Sequence, residues 1–190
     1  MVDMQIADVQ DDISSVLLTK EEIEGKIKEA AALIDRDYAD KNVLLLAVLK
    51  GAVNTLVALS SQLHINAQID FMSLSSYGSG TESSGEVTIR QDMAFDVRGR
   101  HVLIVEDIVD SGLTLSWLMD LLRRRGAASV EAFALLNKPD RNKIHVDVKY
   151  PGFDIPDEFV VGFGLDYNEL YRNLDSIAAL KPSVYQGDHA

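Results

Sequence analysis

Apolar strands that alternate with amphipathic helices are the feature that most constrains this fold. Three segments of strand length are largely apolar, 42–49, 101–108 and 129–137. Strands of this kind are buried on both faces, as in parallel sheets that helices cover on both sides. The sequence therefore predicts an α/β fold with a mostly parallel central sheet.

The helical segments carry their own start and stop signals. Residues 20–39 place apolar side chains on one face, and Thr19 with Glu22 forms a capping-box pattern before them. The apolar positions of this face are Ile23, Ile27, Ala30, Ala31 and Ile34. The other predicted elements are two helices, 54–63 and 115–127, and three strands, 67–74, 87–93 and 158–166. Gly126 lies in the C-terminal capping position of the last helix.

Polar residues follow the predicted strands at the places where parallel sheets bind ligands. Such sheets bind at the carboxyl ends of their strands, where the connecting turns meet. The residues found there are Lys50, Gly51, Glu106, Asp107, Lys138 and Asp166. We expect them to lie close together at one edge of the sheet.

The segment "EDIVDSGLT", residues 106–114, joins a buried strand to a helix and has the topology of a phosphate cradle. Backbone N–H groups at the turn and at the helix N-terminus favour negative charge. Gly112 permits a close backbone approach, and the hydroxyls of Ser111 and Thr114 are donors. The spacing matches neither the Walker pattern nor the dinucleotide pattern G-x-G-x-x-G.

The adjacent acids Glu106 and Asp107 need a partner that is rich in donors or cations, because burying like charges is costly. A helix N-cap formed by Asp110 or Ser111 is the simpler interpretation of this segment. That interpretation explains one carboxylate and leaves the adjacent pair without a role. Paired sugar hydroxyls would satisfy the two carboxylates, which would also stabilise positive charge on a ribose ring.

Composition limits the class of protein. The formal net charge of −12 disfavours nonspecific binding to nucleic acid or to an anionic membrane. The absence of cysteine excludes disulfides, thiolate chemistry and zinc–cysteine sites. No run of 18 apolar residues occurs, and the acidic start lacks the pattern of a signal peptide. We expect a cytoplasmic protein with no nucleic-acid or membrane partner.

Five segments together resemble the type I phosphoribosyltransferases, and among them the hypoxanthine-guanine phosphoribosyltransferases. They are "LKGA" at 49–52, "SSYGSG" at 75–80, "VLIVEDIVDSGLTL" at 102–115, "LLNK" at 135–138 and "FVVGFGLDYNELYRNL" at 159–174. The resemblance extends from about residue 10 to 186. It implies one domain over 1–190, with a five-stranded, mostly parallel sheet flanked by helices. It further implies a lid loop at about 75–86 and a small hood subdomain formed by the N-terminal segment and about 144–186.

The resemblance implies a reaction and its partners. A 6-oxopurine base, hypoxanthine or guanine, displaces pyrophosphate from phosphoribosyl pyrophosphate in the presence of Mg²⁺ and yields the nucleoside monophosphate. The family also implies a homodimer or homotetramer. A non-proline cis peptide is common in the family at the position of Leu49–Lys50.

The resemblance also assigns roles to individual residues. The expected catalytic residues are Glu106, Asp107 and Asp110, with the last acting on N7 of the base. The expected 5′-phosphate site comprises Asp110, Ser111, Gly112, Leu113 and Thr114, where some relatives carry lysine at the position of Leu113. The expected pyrophosphate site comprises Lys50, Gly51 and Arg172. The expected purine site comprises Ile108, Lys138, Phe159, Val160 and Asp166. The expected metal ligands are Glu106, Asp107 and Asp166, and the lid residues are Ser76 and Tyr77.

Three alternatives remain at the level of sequence. An RNA-binding regulator built on the same fold would need a basic patch, and salt-dependent retention of RNA would identify it. A related transferase that prefers xanthine or guanine has the same matches at Lys138 and Phe159. A protein that keeps the fold only for protein contacts would not need the complete set of matched site residues.

Overall fold

A computed structural model describes residues 4–76 and 87–186 of the chain. Its strands are β1 (Ile13–Leu18), β2 (Val43–Leu49), β3 (Ala67–Ser76), β4 (Val87–Gln91), β5 (His101–Val109), β6 (Ser129–Asn137), β7 (Tyr150–Asp154), β8 (Val160–Val161) and β9 (Ile177–Leu180). Its helices are α1 (Lys20–Asp37), α2 (Val53–Gln62), α3 (Leu113–Arg124) and α4 (Pro182–Tyr185). Short 3₁₀ turns lie at Ile6–Val9 and Pro139–Arg141.

The larger sheet has six strands in the order β4-β3-β2-β5-β6-β7. Five of them run parallel, and β4 pairs with β3 in the antiparallel direction at one edge. The prediction of a mostly parallel central sheet is therefore confirmed, with a sixth strand added by the return of the chain along β3. The helices cover both faces, because α1 and α2 pack against one face and α3 against the other.

One strand of the larger sheet differs from the prediction. Its outer parallel strand is β7, whereas the predicted strand 158–166 contributes only the two residues of β8 to a separate sheet. Extended backbone ends there because Gly162, Phe163 and Gly164 all have positive φ angles. The sequence pattern of β7 was inconspicuous because it contains Pro151 and Gly152, and proline occurs in sheets mainly at edges such as this one.

A smaller antiparallel sheet has the order β1-β9-β8 and joins the two ends of the described chain. The hood was expected from the N-terminal segment and about 144–186. Residues 150–154 lie instead in the larger sheet, where β7 pairs with β6. Within the described ranges, 4–76 and 87–186, no helix has the length and apolar character needed to span a membrane.

The first helix forms as predicted. Its buried residues are Ile23, Ile27, Ala30, Ala31 and Ile34. The capping box is present, because Thr19 N donates to Glu22 Oε2 at 2.8 Å and Glu22 N donates to Thr19 Oγ1 at 3.3 Å. Gly126 follows the last turn of α3 with a φ of +85°, so the predicted C-terminal signal is also confirmed.

The order of the strands creates a switch point between β2 and β5. From β2 the chain crosses through α2 to β3 on one side, and from β5 it crosses through α3 to β6 on the other side. The two connections leave in opposite directions, so the carboxyl ends of β2 and β5 border a crevice. Ligands of open α/β sheets bind in such crevices.

Candidate active site

The end of β2 forms one wall of the crevice. The peptide bond between Leu49 and Lys50 is cis, as the resemblance implied. The α-carbon of Gly51 lies directly against the Asp107 carboxylate, because an added Cβ would stand 1.7 Å from Asp107 Oδ2. Only glycine allows the β2–α2 turn to approach the end of β5 so closely.

Two adjacent carboxylates lie near the end of β5, where Glu106 is buried and Asp107 is partly exposed. Glu106 is 7% exposed, and its burial raises the pKa of the carboxyl well above the usual range, with the charge of Asp107 adding to the rise. Burial raises the pKa of Asp107 to about 6, although the backbone N–H of Ile108 donates to Asp107 Oδ1 at 2.8 Å. The nearby charge of Arg172 lowers this pKa, and that of Asp166 raises it.

This electrostatic setting favours a ligand with positive charge or with several donors. Within the described part of the chain, Glu106 forms no ion pair or hydrogen bond through its side chain. Burial of an unpaired carboxylate is unfavourable until a cation or donor replaces the lost water. The pair is therefore ready to bind a sugar diol or a divalent cation.

A cleft beside the carboxylates is lined by Val48, by Glu106 and by all residues of the turn 108–115 except Leu113. Gly112 is the N-cap residue of α3, has a φ of +80° and provides no side-chain cap. An added Cβ on Gly112 would meet Ile144 O at 2.8 Å, so glycine is required here. Apart from the long bond from Leu113 N to Ser111 Oγ, the amides that begin α3 therefore remain available to an anion in this cleft.

The N-cap interpretation of Asp110 is not supported. Arg141 Nε donates to Asp110 Oδ1 at 2.8 Å, and this ion pair occupies the carboxylate instead of the helix amides. Ser111 Oγ accepts only a long bond of 3.4 Å from Leu113 N.

Lys138 follows β6 and is 9% exposed. Its Nζ donates to Glu158 O at 2.6 Å and lies 3.7 Å from Asp157 Oδ1. Its backbone N–H donates to Val109 O at 2.9 Å, which fixes the lysine beside the end of β5.

The aromatic residue predicted to contact a base lies directly before β8. The ring of Phe159 is 38% exposed and stacks on Tyr185 with centroids 4.9 Å apart. Tyr167 meets the same ring edge-on at 5.6 Å. Val160 is buried in β8, so its side chain belongs to the core and only its backbone can serve a ligand.

A network of charges joins the end of β2 to the segment after β8. Arg172 Nη2 lies 2.7 Å from Asp166 Oδ1 and 3.3 Å from Glu169 Oε2. The same Glu169 oxygen lies 2.8 Å from Lys50 Nζ. Asn54 Nδ2 donates to Arg172 O at 3.0 Å, which ties the segment to α2. The two predicted pyrophosphate cations, Lys50 and Arg172, thus meet on one carboxylate.

Some predicted residues come together and others do not. Within residues 4–76 and 87–186, no three His, Asp or Glu side chains are grouped so that together they could hold a metal ion. The part of the predicted lid over 77–86, including Tyr77, lies outside the described residues, as does the side chain of Ser76.

Several residues of the site were missed by the sequence analysis. They are Arg141, Asp157, Glu169 and Tyr185. Arg141 carried the clearest signal, because it lies three positions after Lys138 and close to the end of a parallel strand. Glu169 carried none, because its position depends on left-handed backbone at Asn168, Glu169 and Tyr171.

Comparison with known proteins agrees with this geometry. The family described as phosphoribosyl transferase domain matches residues 14–168. A hypoxanthine-guanine phosphoribosyltransferase of Mycobacterium avium is 51% identical over 181 residues, which cover 92% of this chain and 89% of that protein. The protein of the same description from Bacillus subtilis (strain 168) is 48% identical over 175 residues, covering 92% of this chain and 97% of its own.

A solved structure agrees as well. The crystal structure of a hypoxanthine phosphoribosyltransferase from Staphylococcus aureus superposes with a TM-score of 0.90 at 45% identity, over 94% of this chain and 97% of that one. The resemblance inferred from the five segments is thus confirmed. The chain belongs to the phosphoribosyl transferase family and, within it, to the hypoxanthine-guanine phosphoribosyltransferases, which are enzymes of the pentosyltransferase class.

Proposed function

We propose that this enzyme transfers the phosphoribosyl group of phosphoribosyl pyrophosphate to N9 of a 6-oxopurine, hypoxanthine or guanine. The products are inosine or guanosine monophosphate and pyrophosphate, as in purine salvage. The observation that carries the proposal is the adjacent pair Glu106 and Asp107, whose pKa values are raised, beside the N-terminus of α3. Such a pair suits a ribose that carries phosphate.

The sugar is held by the two carboxylates in this proposal. Glu106 and Asp107 accept hydrogen bonds from the ribose hydroxyls, and these hydroxyls replace the water molecules that burial removed. As the bond from C1 to pyrophosphate breaks and the bond from C1 to N9 forms, positive charge develops on the ribose ring. Fixed negative charge nearby stabilises that transition state more than the bound substrate.

The phosphates are bound by amides and cations. The turn of residues 110–114 donates backbone N–H groups to the 5′-phosphate, and the hydroxyls of Ser111 and Thr114 add two donors. Leu113 in place of a lysine leaves these backbone contacts intact. Pyrophosphate is bound by Lys50, by the backbone at Gly51 and by Arg172, which requires it to replace Glu169 as the partner of both cations.

The base is recognised by charge and stacking. Asp110 takes up or holds the proton at N7 while N9 attacks. Lys138 donates to the 6-oxo group and disfavours adenine, whose 6-amino group is itself a donor. Ile108 and Phe159 contact the ring, and the backbone near Val160 and Asp166 reads the 2-position of the purine.

Magnesium fits the donors of this site. Mg²⁺ prefers carboxylate oxygen and retains several ligands from water or substrate phosphates, so a site with few protein ligands is adequate. Glu106, Asp107 and Asp166 are the carboxylates that would hold it, and when bound it neutralises charge on the leaving pyrophosphate.

The family resemblance further supports residues 75–86 as the segment that closes over the substrate and 1–190 as a single domain with a hood. It also supports a homodimer or homotetramer in the cytoplasm.

The direct test is product formation. The purified protein is incubated with phosphoribosyl pyrophosphate, Mg²⁺ and hypoxanthine, guanine, xanthine, adenine or uracil in parallel, and nucleotides are separated by chromatography. We expect inosine or guanosine monophosphate and no adenine product. Binding of the pyrophosphate donor without product from any base would contradict the proposed reaction.

A further inference from the structure

We propose that Arg141 is a positioning residue for Asp110. In this role it holds one oxygen of the carboxylate so that the other oxygen is presented to the purine base. The inference rests on the proposed function, in which Asp110 handles the proton at N7. It assigns the loop after β6 a part in proton transfer as well as in recognition of the base.

The contact with Arg141 makes the two oxygens of the Asp110 carboxylate different from each other. Arg141 Nε donates to Asp110 Oδ1 at 2.8 Å. Among residues 4–76 and 87–186, no side chain or backbone group is bonded to Asp110 Oδ2. One oxygen is therefore oriented by a cation, the other has no partner among these residues, and Asp110 is one of the residues that line the cleft beside Glu106. A charge-assisted bond of this kind fixes direction as well as distance.

The backbone around the arginine is bonded to the backbone around the carboxylate. One bond runs from Lys138 N to Val109 O at 2.9 Å, and another from Lys143 N to Ser111 O at 3.0 Å. Lys138 and Lys143 precede and follow Arg141 in one segment, and Val109 and Ser111 precede and follow Asp110 in the other. The two side chains therefore meet because their segments are attached, and the pair does not depend on a loose surface loop.

The other side of the arginine is also occupied. Arg141 Nη1 lies 3.7 Å from Asp157 Oδ1, and Lys138 Nζ lies 3.7 Å from the same oxygen. Asp110, Arg141, Asp157 and Lys138 thus form a row of alternating charge. Asp157 keeps the arginine from turning away and connects the group proposed to handle N7 with the lysine proposed to bind the 6-oxo group.

This arrangement predicts an effect on turnover rather than on substrate binding. A base that can rotate freely spends less time in the productive geometry, and small misplacements are costly for proton transfer. The guanidinium would not touch substrate, so the binding of phosphoribosyl pyrophosphate is expected to be independent of it.

The first test compares Arg141→Gln, Arg141→Lys and a matched control. The control is Arg123→Gln, which removes an arginine that pairs with Asp120 at 3.1 Å at the far end of α3. We expect R141Q to lower kcat about tenfold with KM values within about twofold of wild type. We expect R141K, which keeps a donor and a charge, to recover most of the loss, and R123Q to match wild type. Thermal denaturation of each variant establishes that it is folded, and R141M replaces R141Q if the glutamine variant does not fold.

The second test places R141Q in an Asp110→Asn background. If the arginine acts through the carboxylate, the double variant is no slower than D110N alone. An equal loss in both backgrounds, or a large rise in KM for phosphoribosyl pyrophosphate, would mean that Arg141 contacts substrate and would overturn the inference. Normal turnover by R141Q would also overturn it. If turnover by D110N is too slow to measure, the kcat of R141K is compared with that of R141Q. Recovery of kcat in R141K supports the inference, and no recovery overturns it.

The same experiment separates the inference from the proposed function. An active wild type with an impaired D110N and an unaffected R141Q leaves the function intact and removes only the positioning role. A wild type that makes no nucleotide with any base removes both.

Discussion

Three carboxylates within five positions differ because their surroundings differ. Glu106 is buried without an ion-pair partner in the described part of the chain, and Asp107 lies against the α-carbon of Gly51. Asp110 is nearly half exposed and is paired with Arg141. Environment is what assigns roles to chemically similar acids, as in other enzymes with paired carboxylates. The first two suit a sugar or a cation, and the third suits exchange of a proton with a ligand that comes and goes.

The Asp110→Asn substitution tests the role of that carboxylate. Asparagine keeps the size of the side chain and leaves the backbone amides of the 110–114 turn in place, but it cannot accept a proton. We expect kcat to fall by about 100-fold or more, while the dissociation constant for phosphoribosyl pyrophosphate changes by about twofold at most. Steady-state kinetics and calorimetry measure the two quantities. Turnover like that of the wild type would show that Asp110 is not the acid–base group.

Individual elements contribute to the site mainly through their ends. The ends of β2 and β5, the start of α3 and the turn after β6 supply most of the groups described above. The interiors of these elements are apolar and determine where the ends lie. Gly51, in the turn between β2 and α2, is the point where two such ends touch, so this position requires glycine.

The substitution Gly51→Ala tests the close approach of Gly51 to Asp107, and Gly25→Ala is its matched control. A methyl group on Gly51 would stand 1.7 Å from Asp107 Oδ2, whereas nothing lies within 4 Å of one on Gly25, which is exposed on α1. We expect G51A to lose activity because the carboxylate must move. We expect G25A to keep activity and to gain about 0.5–1 kcal/mol in the free energy of unfolding. Kinetics and urea denaturation measure both, and an active G51A would contradict the close approach.

The whole molecule tolerates one energetically unfavourable feature at the switch point, the pair of adjacent acids Glu106 and Asp107. The apolar strands of the larger sheet, and the helices on both faces, surround the region near the end of β5, where Glu106 is buried and Asp107 is partly exposed. A stable core can carry such a local cost where function requires it. The raised pKa values of Glu106 and Asp107 report that cost.

This cost predicts a dependence of stability on pH. The folded pKa of Glu106 lies above its unfolded value, so between those two values the folded protein holds more protons than the unfolded chain. The contribution to stability is therefore present at low pH and is lost as pH rises through the folded pKa. In Glu106→Gln this titration is absent.

We expect the unliganded wild type to lose more stability than E106Q between about pH 5 and about pH 8. Urea denaturation at both pH values measures the difference, and Glu24→Gln on the exposed face of α1 is the control. A steeper loss in E106Q than in the wild type would contradict the sign of the shift.

Much of the fold and of the site could be predicted because the signals are local. The capping box at Thr19, the buried face of α1 and the strand–turn–helix of 101–124 each lie within one continuous segment. Local hydrogen bonds and hydrophobic periodicity leave a pattern in such segments. The cis peptide after Leu49 was predicted only through the family resemblance, because no local signal indicates it.

The sequence by itself determined the class of fold, most of the strands of the larger sheet and the strand–turn–helix segment that we propose binds phosphate. Only the tertiary structure decided which of those groups meet. Arg141 and Asp110 are 31 positions apart, and Lys50 and Glu169 are 119 apart. The order of strands in the sheet brings the first pair together, and the left-handed backbone at Glu169 brings in the second. Long-range contacts of this kind depend on how separate elements pack, and a side-chain pair leaves no periodic pattern along the chain.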